Sequence, residues 1–239
     1  MKTAVLDSPR LRDGAVRGGC TPAGRVTRSL LGYGVLAGPL YVAVSLAQAL
    51  TRDGFDLTRH DWSLLANGPG GWIQSTNLML TGVLVLVAAA GLWRAVGRPG
   101  RAAALLVGAY GVGMVGAGVF RADPMFGFPL GTPDGAPAHP TPHGTLHLVF
   151  GGLAFVCLAV ACLLSGRRAA REDRRGRARW SRICGAGVLV GFAAAASGQP
   201  WGTLVFTAGV ILGWVWLAEW SAREFARDAA ADAAAAAPR

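Results

Sequence analysis

TLHLVFGGLAFVCLAVACLLS, residues 145–165, runs without a break into GRRAAREDRRGRARWSR, residues 166–182. The first stretch is almost wholly apolar, and the second holds eight arginines around one Glu–Asp pair. At a rise of about 1.5 Å per residue, some twenty apolar residues in a helix cross the roughly 30 Å hydrocarbon core of a bilayer. A dense basic block at the end of such a run marks the cytoplasmic end of a transmembrane helix. The junction at 165–166 therefore reads as the inner end of a membrane span.

The same alternation extends along all 239 residues, of which 52% are hydrophobic and 15% charged. A soluble domain carries about 25% charge, so a soluble globular class is excluded. Apolar runs occupy 29–50, 72–93, 102–120, 145–165, 183–199 and 202–220. The expected fold is all-α, with six transmembrane helices in an antiparallel bundle over 29–221. A disordered basic leader, 1–28, precedes it, and an alanine-rich tail, 222–239, follows. The fifth run is short and must tilt or borrow flanking residues. Twenty of the 23 Lys and Arg residues fall in the leader, the tail and alternate loops. That bias places both termini in the cytoplasm of a bacterial plasma membrane. The net charge of +10 is thus topological, and no nucleic-acid partner is expected. AQA at 47–49 resembles a signal-peptidase site, whose cleavage would leave five spans. The run before it is longer than the usual 7–15-residue signal core, so it is read as a span.

Glycine pairs at i, i+4, namely Gly34 and Gly38, Gly187 and Gly191, and Gly209 and Gly213, are read as helix-packing positions. Gly108, Gly111, Gly113, Gly116 and Gly118 in the third span are read the same way. The four cysteines fall in the leader or in apolar runs, and no structural disulfide is expected.

Hydrogen-bonding side chains crowd into the outer halves of the spans. Gln48 ends the first; Gln74, Asn77 and Thr81 share one face of the second. The inner halves are nearly free of such groups. Polar groups are costly in hydrocarbon unless paired or hydrated, which leaves two readings. Either these residues line an outward-facing polar pocket, or they hydrogen-bond between helices with no ligand.

The first outer loop carries His60 and Asp61, and WSLLANG beyond them suits a short interfacial helix capped by Asp61. The second is proline-rich, unsuited to a rigid domain, with Phe126 and Phe128 placed on the bilayer surface. It ends in HPTPHGTLH, residues 139–147, where Thr141 suits an N-cap and Pro142 the first helical position. His143 and His147 then lie one turn apart on one face. With Asp123 just past the third span, and His60 or His139 in reserve, this donor set would suit zinc. The alternatives are a protonation role without metal, or structural hydrogen bonding. Arg121 borders the same place. The arginines from Arg167 to Arg182 suit anionic lipid headgroups, or act solely as a topology anchor.

GPGGW (68–72), GVFRADP (118–124) and PHGTLH (142–147) together resemble a bacterial family of multi-pass membrane proteins, the domain of unknown function numbered nine-nine-eight. The likeness runs from about residue 30 to 220. Its members more often show proline and threonine where Arg121 and Ala122 stand here. The resemblance implies fold and topology, singles out Phe120, Asp123, Pro124, His143, Gly144 and His147, and implies no activity. The resulting expectation is a binding or accessory protein that handles a lipid or small amphiphile at the outer leaflet. A metal-dependent membrane hydrolase is the alternative. A solute transporter is disfavoured, because no polar path crosses the inner halves.

Overall fold

A computed structural model of the chain describes residues 22–199 and 201–236. Six long helices carry the fold: α1 (Pro22–Thr51), α2 (Gly71–Ala95), α3 (Arg98–Val119), α4 (Pro142–Arg171), α5 (Arg175–Ala196) and α6 (Gly202–Ala236). Five of them, α1 to α4 and α6, are long and apolar enough to cross a membrane. In α5 the first turns carry Arg175, Arg177, Arg179 and Arg182, which leaves the short apolar run expected of the fifth span.

Each helix packs against its neighbours in sequence, and α6 closes the ring against α1. Glycines set how closely the helices approach. A Cβ on Gly82 of α2 would stand 2.8 Å from the Gly111 carbonyl oxygen of α3. One on Gly209 of α6 would stand 2.7 Å from the Gly187 carbonyl oxygen of α5. Gly34 and Gly38 of α1 face Ser221 and Trp214 of α6 in the same way. Backbones this close gain dispersion that replaces the hydrophobic drive absent between helices in lipid.

The two ends of the ring differ. At the arginine-rich end the start of α1 meets the end of α6, where Arg28 pairs with Asp232 at 3.0 Å and Asp228 at 3.4 Å. Residues 22–28, expected in a disordered leader, are therefore the first turns of α1, and the alanine-rich tail continues α6 as far as Ala236. The remainder of the leader lies outside the described residues. Leu31, Leu92, Trp216 and Leu217 are fully buried and fill this half of the ring.

Loops 52–70 and 120–141 form a cap over the other end. Arg52 donates to the carbonyls of Leu65 and Asn67 and sits 5.0 Å above the Phe128 ring. Phe55 packs edge-on against Phe128, and His60 lies 5.5 Å from the same ring. Phe128 is 1% exposed, so it is the cap's apolar centre and not a residue of the bilayer surface. The proline-rich loop is correspondingly a packed element. A 3-10 helix, Trp62–Ala66, lies where the short interfacial helix is expected, with Asp61 at its N-cap position but making no side-chain cap bond. Trp72 and Trp201 at this end, and Trp93 at the other, remain exposed on the bundle's outer surface, as interfacial indoles require.

Candidate functional site

The start of α4 and the end of α3 hold each other in place. Thr141 caps α4, its hydroxyl accepting from the Gly144 N–H at 3.0 Å, and Pro142 takes the first helical position. Asp123 completes the cap by accepting from the Thr141 N–H at 2.9 Å and from its hydroxyl at 2.6 Å. Gly144 is required at this point, because any Cβ there would collide with the Asp123 carboxylate. In return, His147 Nδ1 lies 2.9 Å from the carbonyl oxygens of both Ala117 and Phe120. Two acceptors require that Nδ1 carry the proton, which leaves Nε2 as an acceptor in the neutral ring. The Ala117 and Phe120 carbonyls at the end of α3 thereby meet a side chain of α4, and the Thr141 amide at the start of α4 meets the side chain of Asp123 just past α3.

This exchange does not gather a metal centre. Both Asp123 oxygens are engaged by Thr141, and His147 Nδ1 is engaged by backbone. His143 is exposed, its ring set edge-on to Phe120 with centroids 5.5 Å apart. Among the described residues no group of three or more His, Cys, Asp or Glu side chains is placed to hold a metal ion. His60 accepts from the Asp56 N–H at Nδ1, 2.8 Å, and faces the Phe126 carbonyl at Nε2, 2.9 Å. Its role is to join the two loops. His139 and Arg121 are exposed.

The uncharged polar residues of the first two spans take the second of their expected readings. Gln48 Nε2 donates to Gln74 Oε1 at 2.8 Å, Gln74 Nε2 donates to Ser45 at 3.1 Å, and Asn77 Nδ2 donates to Ser45 and to the Tyr41 carbonyl at 3.2 Å. Thr81 donates to Asn77 Oδ1 at 3.4 Å. These groups clip α1 to α2, and none of the four expected residues, Gln48, Gln74, Asn77 or Thr81, lines a cavity.

A cavity of about 470 Å³ nevertheless lies inside the ring beneath the cap. Its walls are chiefly apolar and aromatic: Tyr41 of α1, Trp62 of the 3-10 helix, Tyr110 of α3, Phe155 of α4, Phe192 of α5 and Phe206 of α6 all face it. Sequence reasoning missed these rings, since an aromatic side chain within an apolar run looks like ordinary packing. Tyr41 and Tyr110, polar-tipped rings within the apolar runs of the first and third spans, were the available signal. Of the expected pocket residues, Asp61, Asp123 and His147 line the cavity on its cap side, joined by Ser63. The pocket is thus apolar with a polar rim, not polar throughout.

Asp61 stands apart from Asp123. Its Oδ1 is buried without a hydrogen-bond partner among the described residues, and the same holds for Nε1 of the adjoining Trp62, which is 6% exposed. Burial raises the Asp61 carboxyl from 3.8 to about 6, while the Thr203 hydroxyl and nearby His60 pull partly the other way.

A family described as protein of unknown function (DUF998) matches residues 35–223. The chain belongs to this family. The matched region runs from α1 into α6 and contains the α3–α4 exchange, the cap and the cavity, so the family's conserved length coincides with the ring. No curated protein matches the chain. No solved structure matches it either.

Two outcomes follow from this geometry. Asp123→Ala and Thr141→Ala should each lower stability, by about 1.5–3 kcal/mol for the loss of a charged hydrogen-bonding partner. A double-mutant cycle on thermal unfolding in micelles should show coupling of at least about 1 kcal/mol; additive losses would mean the two groups act independently. Because the Asp61 carboxyl is raised in the folded state, its contribution to stability is complete below pH 3.8 and is lost as pH rises through about 6. Asp61→Asn should therefore gain on the wild type across that window and unfold at higher temperature at pH 7.5. A constant difference from pH 4 to 8 would show that the carboxyl is not buried as described.

Proposed function

We propose that this membrane protein binds the apolar chain of a small amphiphile within the ring and holds its head beneath the cap. The observation that carries this reading is the cavity itself. Its volume of about 470 Å³ lies within the 300–1,000 Å³ of small-molecule sites, and its make-up, apolar walls with a few grouped polar atoms, is theirs too. The filled arginine-rich half gives it a floor, which favours a binding site over a conduit. No set of reacting groups accompanies the cavity, so the reading is of a binding or accessory protein.

The route in is lateral. Between α4 and α5 the cavity wall consists of Leu148, Gly151, Gly152, Ala195 and Ala196. A Cβ on Gly151 would meet nothing within 4 Å, and Leu148 and Ala196 are exposed on the outer surface of the bundle. In a bilayer this gap faces acyl chains. The positive-inside bias puts the arginine-rich end and both described helix termini in the cytoplasm, so that the gap opens into the outer leaflet.

A chain-brominated alcohol, ω-bromoundecanol, reports occupancy by quenching tryptophan fluorescence. In phosphatidylcholine nanodiscs it should quench the wild type saturably, with Trp62→Phe losing much of the signal. Gly151→Phe places a ring in open space, and should keep the fold while weakening binding about tenfold or more. Unchanged saturable quenching in Gly151→Phe would refute the site. For orientation, a reporter fused after Pro137 should be active only on the outer side; activity in the cytoplasm would invert the assignment.

A further inference from the structure

We propose that the head of the bound amphiphile is a cationic amine, held by the Asp61 carboxylate and by the rings of Trp62 and Tyr41. This rests on the cavity being a binding site, and adds the chemistry of what it selects.

The cavity's lining includes two carboxylates, Asp61 and Asp123, and among the described residues neither lysine nor arginine. Of the cap's arginines, Arg52 is engaged by the carbonyls of Leu65 and Asn67 and by Phe128, Arg59 pairs with Asp134 at 3.1 Å, and Arg121 is exposed and does not line the cavity. A phosphate, sulfate or carboxylate head would therefore meet carboxylates without a compensating cation in a site of low dielectric, where like charges repel strongly.

The two carboxylates differ. Both oxygens of Asp123 are taken by Thr141. Asp61 keeps Oδ1 buried and, among the described residues, without a hydrogen-bond partner, and a buried acceptor in that state is costly until a donor reaches it. An ammonium supplies both the donor and the opposite charge. The raised carboxyl of Asp61 is the expected signature of such a counter-ion while its partner is absent.

Trp62 and Tyr41 both line the cavity with ring centroids 5.8 Å apart, and Trp214 stands 5.5 Å behind Tyr41. Indole and phenol faces attract a cation electrostatically, most strongly where water is excluded. They offer an anion no such attraction. Asp61 and Trp62, adjacent in the chain, thus bring a carboxylate and an aromatic face to one side of the cavity.

Three probes with the same chain test the head alone: ω-bromoundecylamine, ω-bromoundecanol and ω-bromoundecanoate, each titrated at pH 7.5 against the full-length protein in phosphatidylcholine nanodiscs. Tryptophan quenching is corrected by the same titration of Gly151→Phe, in which the site is obstructed. The amine should bind about tenfold tighter than the alcohol, and the carboxylate weakest. In Asp61→Asn the amine should fall to within about twofold of the alcohol titrated against the same variant. Equal binding of amine and alcohol by the wild type would overturn the cationic head while leaving the cavity a chain-binding site. Retention of the amine preference in Asp61→Asn would overturn the role of Asp61. If no probe quenches saturably, the binding reading and this inference fall together. The wild-type order of affinities decides the head class even if Asp61→Asn does not fold.

Discussion

A helix that ends inside a membrane protein leaves amides at one terminus and carbonyls at the other, with no bulk water to satisfy them. The exchange between α3 and α4 answers this constraint, and the rest of the structure hangs on it. Asp123 from the end of α3 completes the N-cap of α4, and His147 from α4 closes the last carbonyls of α3. The loop between them is consequently tied at both ends, so Phe126 and Phe128 are delivered to fixed places. Through Phe128 the second loop meets Phe55, His60 and Arg52 of the first, and the cap results. Without a cap the ring would be open to water, and its aromatic interior would have no rim.

Polar groups within the spans divide into two kinds of work. Between α1 and α2, Gln48, Gln74, Asn77 and Ser45 hydrogen-bond to one another and tie the two helices, with Gln48 Oε1 left buried and unpartnered among the described residues. Under the cap, Asp61 and Trp62 also keep buried atoms without a partner among the described residues, and these two side chains line the cavity. Only the second kind borders space for a ligand. Abundance of polar side chains in one half of a bundle is therefore a poor guide to a site, and their position beside a cavity is a better one.

The sequence revealed the fold through periodic signals that the membrane enforces: apolar run length, arginine placement and glycines at one-turn spacing. It also placed the α4 cap, because Thr141 and Pro142 obey local rules that need no tertiary context. It pointed to Asp123 and His147 as a pair but left their purpose open between zinc, a protonation role and structural hydrogen bonding. Imidazole and carboxylate at helical spacing are chemically suited both to zinc and to helix ends, and only the positions of the Ala117, Phe120 and Thr141 acceptors and donors separate the two. Of the cavity, the polar rim of Asp61, Asp123 and His147 was legible, and the aromatic walls were not. Whether an aromatic residue such as Phe155 or Phe206 fills space or borders it depends on how six helices close a ring, and no local pattern encodes that closure. Likewise, the burial of Phe128 depends on Arg52 and Phe55 arriving from a distant loop.

The gap at Gly151 changes the solvent against which binding is measured. A soluble carrier extracts its ligand from water, and the hydrophobic effect supplies most of its affinity. A chain that slides between α4 and α5 leaves hydrocarbon for hydrocarbon, and that term nearly vanishes because acyl tails are as apolar as the cavity wall. What then distinguishes one membrane amphiphile from the vast excess of surrounding lipid is the fit of rings to chain and the electrostatics of the head. Discrimination in such a protein resides in its few polar atoms, however small a part of the lining they form.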